Sequence, residues 1–152
     1  MTIDHQHFAD RIALRALVEN YARGADRRDG DLVAAQFVPD GRILIFDQGE
    51  RSPAPTRQLI GRGEIGPAML KLKRYEITTH FLGQQTVEID GDAATGETYC
   101  MAHHVSGEGT ERNNFIMSIR YLDQYQRVDD RWYFVERRLM CDWTERRPMP
   151  AS

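Results

Sequence analysis

The chain has 152 residues, 41% hydrophobic and 28% charged, with a formal net charge of -3. That length supports one sizeable core, so residues 1–152 read as a single domain. The acidic balance leaves no broad basic field to replace phosphate counterions, which argues against a nucleic-acid partner. The basic cluster Arg137, Arg138, Arg146 and Arg147 is interrupted by Glu136, Asp142 and Glu145, and reads as a solvated or subunit-facing strand end. No run approaches a membrane span, and the residues after Met1 lack the basic leader and apolar stretch of a signal peptide. A cytoplasmic location is the expectation. Cys100 and Cys141 lie far apart without a Cys-x-x-Cys pattern, so neither a zinc site nor a disulfide framework is indicated.

The first element is an amphipathic helix over residues 8–27. Ile12, Leu14, Leu17, Val18, Tyr21 and Ala25 follow a buried stripe, with Arg11, Arg15, Glu19 and Arg23 on the other side. His5 and His7 precede it in a terminus expected to fray. Asp29 can cap a short second helix through Phe37, with Asp31 favourable in its first turn. Residues 41–47 read as a strand and residues 48–56, with two prolines and a glycine, as a loop. A third helix follows over residues 63–73, its start blurred by Gly66-Pro67. Four long strand-like runs complete the chain at 76–90, 93–107, 113–128 and 131–143. Helices first and long antiparallel strands afterwards indicate an α+β domain. A sheet of that kind, curved around the first helix, makes a cone with an internal pocket.

Two histidines stand on neighbouring strands of the first hairpin. Asp90-Gly91-Asp92 between strand-like runs is a strong hairpin signal. With those three residues as the loop, Ile89 faces Ala93, and His80 and His104 share a face about 7–8 Å apart at the backbone. A two-residue loop gives His103 that face instead, because a slip of one residue flips every side chain. Two imidazoles aimed into one cavity suit proton transfer at neutral pH.

The order of elements resembles the SnoaL-like branch of the NTF2-like superfamily across nearly the whole chain. Within it, the likeness is nearest to the scytalone dehydratases and hexachlorocyclohexane dehydrochlorinases. The resemblance is carried by Tyr21-Ala22-Arg23-Gly24-Ala25-Asp26, Thr79-His80-Phe81-Leu82-Gly83, His103-His104 and Trp132-Tyr133-Phe134. It implies an NTF2-like cone and a catalytic dyad of Asp26 and His80, with His104 as the second histidine of the dehydratase site. A cationic residue of the dehydrochlorinase site falls near Arg137. Two tyrosines of the scytalone dehydratase pattern are Ala25 and Ile45 here, which argues against scytalone as substrate.

The dyad also makes sense without the resemblance. A carboxylate bonded to one imidazole nitrogen fixes the tautomer, leaves the other nitrogen free as base and stabilises the imidazolium. Alone, Asp26 would read as a helix terminus and His80 as a core histidine; the combined pattern reverses both. The function expected is a cofactor-independent lyase, a dehydratase, eliminase or retro-aldol type, acting on a small hydrophobic, cyclic or aromatic substrate. His104 would act as acid or hydrogen-bond donor, with Tyr21, Tyr121 and Arg137 as substrate-binding residues. The rivals are an isomerase or polyketide-type cyclase, and a non-catalytic binding module or small subunit of an aromatic-ring dioxygenase. No cofactor or metal is demanded. Phe115, Met117, Ile119 and Tyr125, if outward, would supply an apolar face buried between subunits; the resemblance implies a homotrimer, with a dimer next.

Overall fold

In the computed structural model, which describes residues 4–150, the first helix begins earlier than its periodicity announces. Helix α1 spans His5–Arg27 because the Asp4 carboxylate accepts the His7 amide at 3.0 Å. His5 and His7 therefore lie in its first turn, with exposed side chains. Leu14, Leu17, Val18, Tyr21 and Ala25 form the buried stripe, but Ile12 is exposed. Two positions before Leu14, Ile12 points about 200° around the helix from it, away from the core. The helix ends where Arg28 takes a left-handed conformation at φ 55° and the Asp29 amide bonds back to the Gly24 carbonyl.

Asp29 caps α2 (Gly30–Ala34) by accepting the Leu32 amide at 3.0 Å. This helix stops short of Phe37, which already belongs to β1 (Phe37–Phe46). The short strand β2 (Arg57–Ile60) had no sequence signal, since only Leu59 of its four residues is buried. Helix α3 (Arg62–Ala68) gives way to a 3-10 turn over Met69–Arg74 where one helix was expected. Pro67 brings no amide to the helical ladder at that junction. Gly30 packs against the Gly66 backbone so closely that a Cβ would lie 2.3 Å from the Gly66 carbonyl oxygen. This contact seats α3 and its 3-10 extension on α2.

Strands β3 (Ile77–Asp90), β4 (Ala93–Ser106) and β5 (Asn113–Val128) follow the expected runs, and β6 (Arg131–Pro148) continues past the expected end at 143. The sheet order is β2-β1-β6-β5-β4-β3. The sheet is mixed rather than wholly antiparallel, because β1 pairs with β6 in parallel. The long excursion of the chain between these two strands permits that alignment.

The hairpin register differs from expectation near the turn and agrees with it at the histidines. Asp90 pairs with Ala93, so the loop is the two residues Gly91 and Asp92, with Gly91 at φ 59°. By that register His103 should face inward. A β-bulge intervenes, with Gly83 and Gln84 opposite the single residue Tyr99. Beyond it His80 pairs with Ala102 and Thr78 with His104, which returns His104 to the face of His80.

Helix α1 lies on the concave side of the sheet, where Tyr21 meets Phe37, Tyr121 and Phe134 edge-on at 5.7–6.3 Å. Trp132 donates its indole N–H to buried Asp10 at 2.9 Å, tying β6 to the start of the helix. These rings fill the narrow end, and a cavity of about 530 Å³ is left beside the C-terminal half of α1. Ile119 and Tyr125 belong to the core, and Phe115 and Met117 line the cavity, so none of the four forms an outer apolar face. The outer face instead carries Phe81, Tyr99 and Trp143, all exposed. Among the described residues no helix is long and apolar enough to cross a membrane.

Candidate active site

Asp26 sits in the last turn of α1 and reaches β3 with both oxygens. Its Oδ1 lies 2.6 Å from His80 Nδ1 and accepts the Thr78 hydroxyl at 3.0 Å; Oδ2 accepts the His80 amide at 2.9 Å. Partial burial pushes this carboxyl upward, but the bonds from the His80 ring, the His80 amide and Thr78 outweigh it and hold it below the usual carboxylate range. An ionised Asp26 can only accept, so His80 Nδ1 carries its proton and Nε2 is left as a base. His80 lines the cavity, whereas Asp26 does not. Thr78 was not foreseen, although it stands two residues before His80 on the same strand face.

His104 lies on the neighbouring strand β4, its ring 6.0 Å from that of His80 and nearly perpendicular. Its Nδ1 is 3.1 Å from the Phe115 carbonyl oxygen, which can only accept, so Nδ1 is protonated. Burial pulls the His104 pKa down to about 4; the Phe115 carbonyl opposes this, and His80 and Arg74 add to the drop. At neutral pH the ring is therefore uncharged and its Nε2 is an acceptor. The expectation was an acid or hydrogen-bond donor at this position; in this tautomer the free Nε2 can accept a hydrogen bond.

The substrate-binding expectations divide. Tyr21 and Tyr121 line the cavity, and the Tyr121 hydroxyl is buried without a hydrogen-bond partner among the described residues. Burial raises the Tyr121 pKa well above its ordinary value, so the group is a protonated donor. Arg137, expected to meet substrate, is fully buried and absent from the cavity wall. Its Nε and Nη2 donate to the two Asp123 oxygens at 2.8 and 2.9 Å. Its guanidinium packs 3.9–4.4 Å from the Tyr121, Tyr21 and Phe134 ring centres. It is a buried support beneath the two tyrosines that form the cavity floor. Nothing in its local sequence distinguishes that position from a cavity wall.

Ala25 and Ile45 both line the cavity, so apolar side chains stand where tyrosines were noted as missing. Tyr75, unforeseen, supplies a phenol ring 4.8 Å from that of His104. Cys100 is buried, and desolvation pushes its thiol up to about 12, against the pull of Arg137, which makes it a poor nucleophile. Among the described residues, no group of three or more His, Cys, Asp or Glu side chains is placed to hold a metal ion.

A profile for the SnoaL-like domain matches residues 6–138. The chain belongs to the SnoaL-like domain family. An uncharacterized relative, Rv2910c of Mycobacterium tuberculosis, is 25% identical over 134 residues, 85% of this chain and 83% of that protein. The crystal structure of a putative scytalone dehydratase from Novosphingobium aromaticivorans is similar at a TM-score of 0.80, with 20% identity, over 99% of this chain and 95% of that one. A hexachlorocyclohexane dehydrochlorinase, LinA Type2, is similar at a TM-score of 0.81, with 16% identity, over 99% and 97%. At these identities the solved structures speak for the fold, which is the NTF2-like α+β cone.

Proposed function

We propose that this SnoaL-like protein is a cofactor-independent lyase for a small hydrophobic, cyclic or aromatic molecule. The observation that carries the reading is the 2.6 Å contact between Asp26 Oδ1 and His80 Nδ1, with the His80 ring on the cavity wall. The activities after which two structural neighbours are named, dehydratase and dehydrochlorinase, are both eliminations. In the proposed step His80 Nε2 takes a carbon-bound proton next to an activating group, and the electron pair forms the double bond as the β substituent leaves. Asp26 stabilises the resulting imidazolium. A departing halide needs no proton; a departing hydroxide receives one from His80, regenerating the base. His104 Nε2 accepts from a substrate hydroxyl and orients it, and the Tyr121 hydroxyl donates to an oxygen that gains charge. Retro-aldol cleavage uses the same groups.

The rival isomerase or cyclase shares the base and differs in where the proton returns. A non-catalytic module would not need an internal acid–base pair, and the contact of Asp26 with His80 beside an open cavity supports the enzyme reading over it. We also read the protein as cytoplasmic, since Cys100 and Cys141 are free thiols. It is read as a homotrimer, or next a dimer, that buries the outer face around Phe81 and Trp143. The test is a panel of cyclic β-hydroxy and β-halo ketones followed by absorbance of the conjugated product. Turnover that is lost in a folded His80→Gln variant supports the lyase reading. Proton exchange or isomerisation without a leaving group favours the isomerase, and no base-dependent change in any substrate removes the enzyme reading.

A further inference from the structure

Three cations stand on the cavity lining. Elsewhere Arg15, Arg42, Arg112, Arg120, Arg127, Arg137, Arg138 and Arg147 pair with carboxylates. Arg57 on β2, and Lys71 and Arg74 on the 3-10 turn, line the cavity with exposed side chains. Among the described residues none of the three is in an ion pair. Among the described residues one carboxylate is on the same lining, Asp47, which accepts the Thr56 hydroxyl at 2.9 Å. A protein of net charge -3 thus concentrates unengaged positive charge at the opening of an apolar cavity.

The turn that carries Lys71 and Arg74 is also held in place. Arg28, at the end of α1, donates to the carbonyls of Asp26, Leu72 and Tyr75 and so ties the 3-10 turn to the helix that carries Asp26. The Arg74 guanidinium lies 4.9 Å from the Tyr75 ring centre, and that ring is 4.8 Å from the ring of His104. Arg74 is therefore one aromatic ring away from the imidazoles. Behind it the wall is apolar, with Ile43, Ile45, Leu59, Ile119 and Leu139.

We propose that the cavity takes an amphipathic carboxylate, its anionic group held at the mouth by Arg74 and Lys71 in the field of Arg57, and its apolar body against the isoleucine-rich wall. The charge would steer the ligand and orient it, with the reactive carbons inward toward His80. This deepens the functional reading in one respect: it rests on the cavity being a small-molecule site, not on the reaction assigned to that site.

The test compares 2-naphthoate with its neutral counterpart 2-naphthamide by titration calorimetry, while the His104 ring signals are followed by NMR. Wild-type protein should bind the carboxylate about tenfold more tightly at low salt, as expected for a few partly solvated charge contacts. That preference should shrink to less than about threefold in about 0.5 M salt, where exposed charges are screened. It should shrink equally in the Lys71→Gln/Arg74→Gln variant, with naphthamide affinity unchanged. Equal binding of the two probes at low salt, or an undiminished preference in the double variant, would overturn the proposal. If naphthamide still shifts the His104 signals in that event, the small-molecule site stands without the anion preference. Failure of both probes to shift His104 would overturn the proposal and the small-molecule reading together.

Discussion

The rings of His80 and His104 face each other edge-on at 6.0 Å because a bulge at Gly83 and Gln84 cancels the register set by the two-residue turn. Without that extra residue the turn would present His103 inward. His104 contributes a neutral acceptor and His80 a base backed by a carboxylate. The two imidazoles are thus differentiated by their partners, Phe115 and Asp26, rather than by sequence context.

Asp26→Asn should keep the shape of the dyad while removing the charge that supports imidazolium and the acceptor that fixes the tautomer. Turnover on a substrate found in the elimination panel should fall on the order of 10²–10⁴-fold, as should that of His80→Gln. The double variant should be little worse than either single one, since the two residues act as a unit. Ring ¹⁵N shifts of His80 should report loss of the Nδ1–H tautomer in Asp26→Asn. Multiplicative losses with an unchanged tautomer would return Asp26 to the role of a helix terminus.

Acid should destabilise the fold through His104. Its pKa is about 4 in the folded protein against 6.5 as the ordinary value, so between these the unfolded chain binds more protons and stability falls as pH falls. The effect is on the order of 3 kcal/mol across that window. Asp26 acts in the same direction at lower pH, since its depressed carboxyl stabilises the fold above the ordinary carboxylate range and ceases to as that carboxyl protonates. Urea melts at several pH values should show a flatter decline below pH 6.5 in His104→Asn than in wild type. Parallel declines would place the acid sensitivity elsewhere.

Arg137 and Asp123 form a pair with no accessible side-chain surface. Removing one partner, as in Arg137→Met, strands a charge and should cost about 3–5 kcal/mol. Replacing both, with Asp123→Leu, should recover much of that loss, although Tyr125 also donates to Asp123 at 2.9 Å. Chemical denaturation of the two singles and the double measures the coupling. Additive losses would mean that the pair is not the unit of stability beneath the cavity floor.

On the outer face, Phe81, Met101, Ser118 and Trp143 are register partners across β3 to β6. Phe81 is 70% and Trp143 49% exposed in the single chain. An apolar row of this kind is covered in most soluble proteins. Phe81→Glu/Trp143→Arg should convert an oligomer into a folded monomer, read by light scattering with circular dichroism as the folding control. A wild-type monomer at micromolar concentration would exclude this surface as an interface.

Local physics made much of this protein legible in the sequence. The stripe of Leu14, Leu17, Val18 and Tyr21, the Asp29 cap and the four long strands follow from periodicity and capping over a few residues. Asp26 and His80 were legible as a pair only through the likeness to known enzymes, since they are 54 positions apart and touch through packing alone. The tertiary structure decided the rest. Alternation in β5 places Phe115 and Tyr125 on one face but leaves unsaid whether that face is inside; α1 seated on the sheet makes it the inner one. Arg137 reads as an available cation until Asp123, Tyr21 and Tyr121 close around it. The bulge opposite Tyr99 depends on two strands meeting, so a correct facing for His104 came from a miscounted turn. Side chains acquire a role only when distant segments choose their neighbours, and those choices are made by burial and pairing across the whole fold.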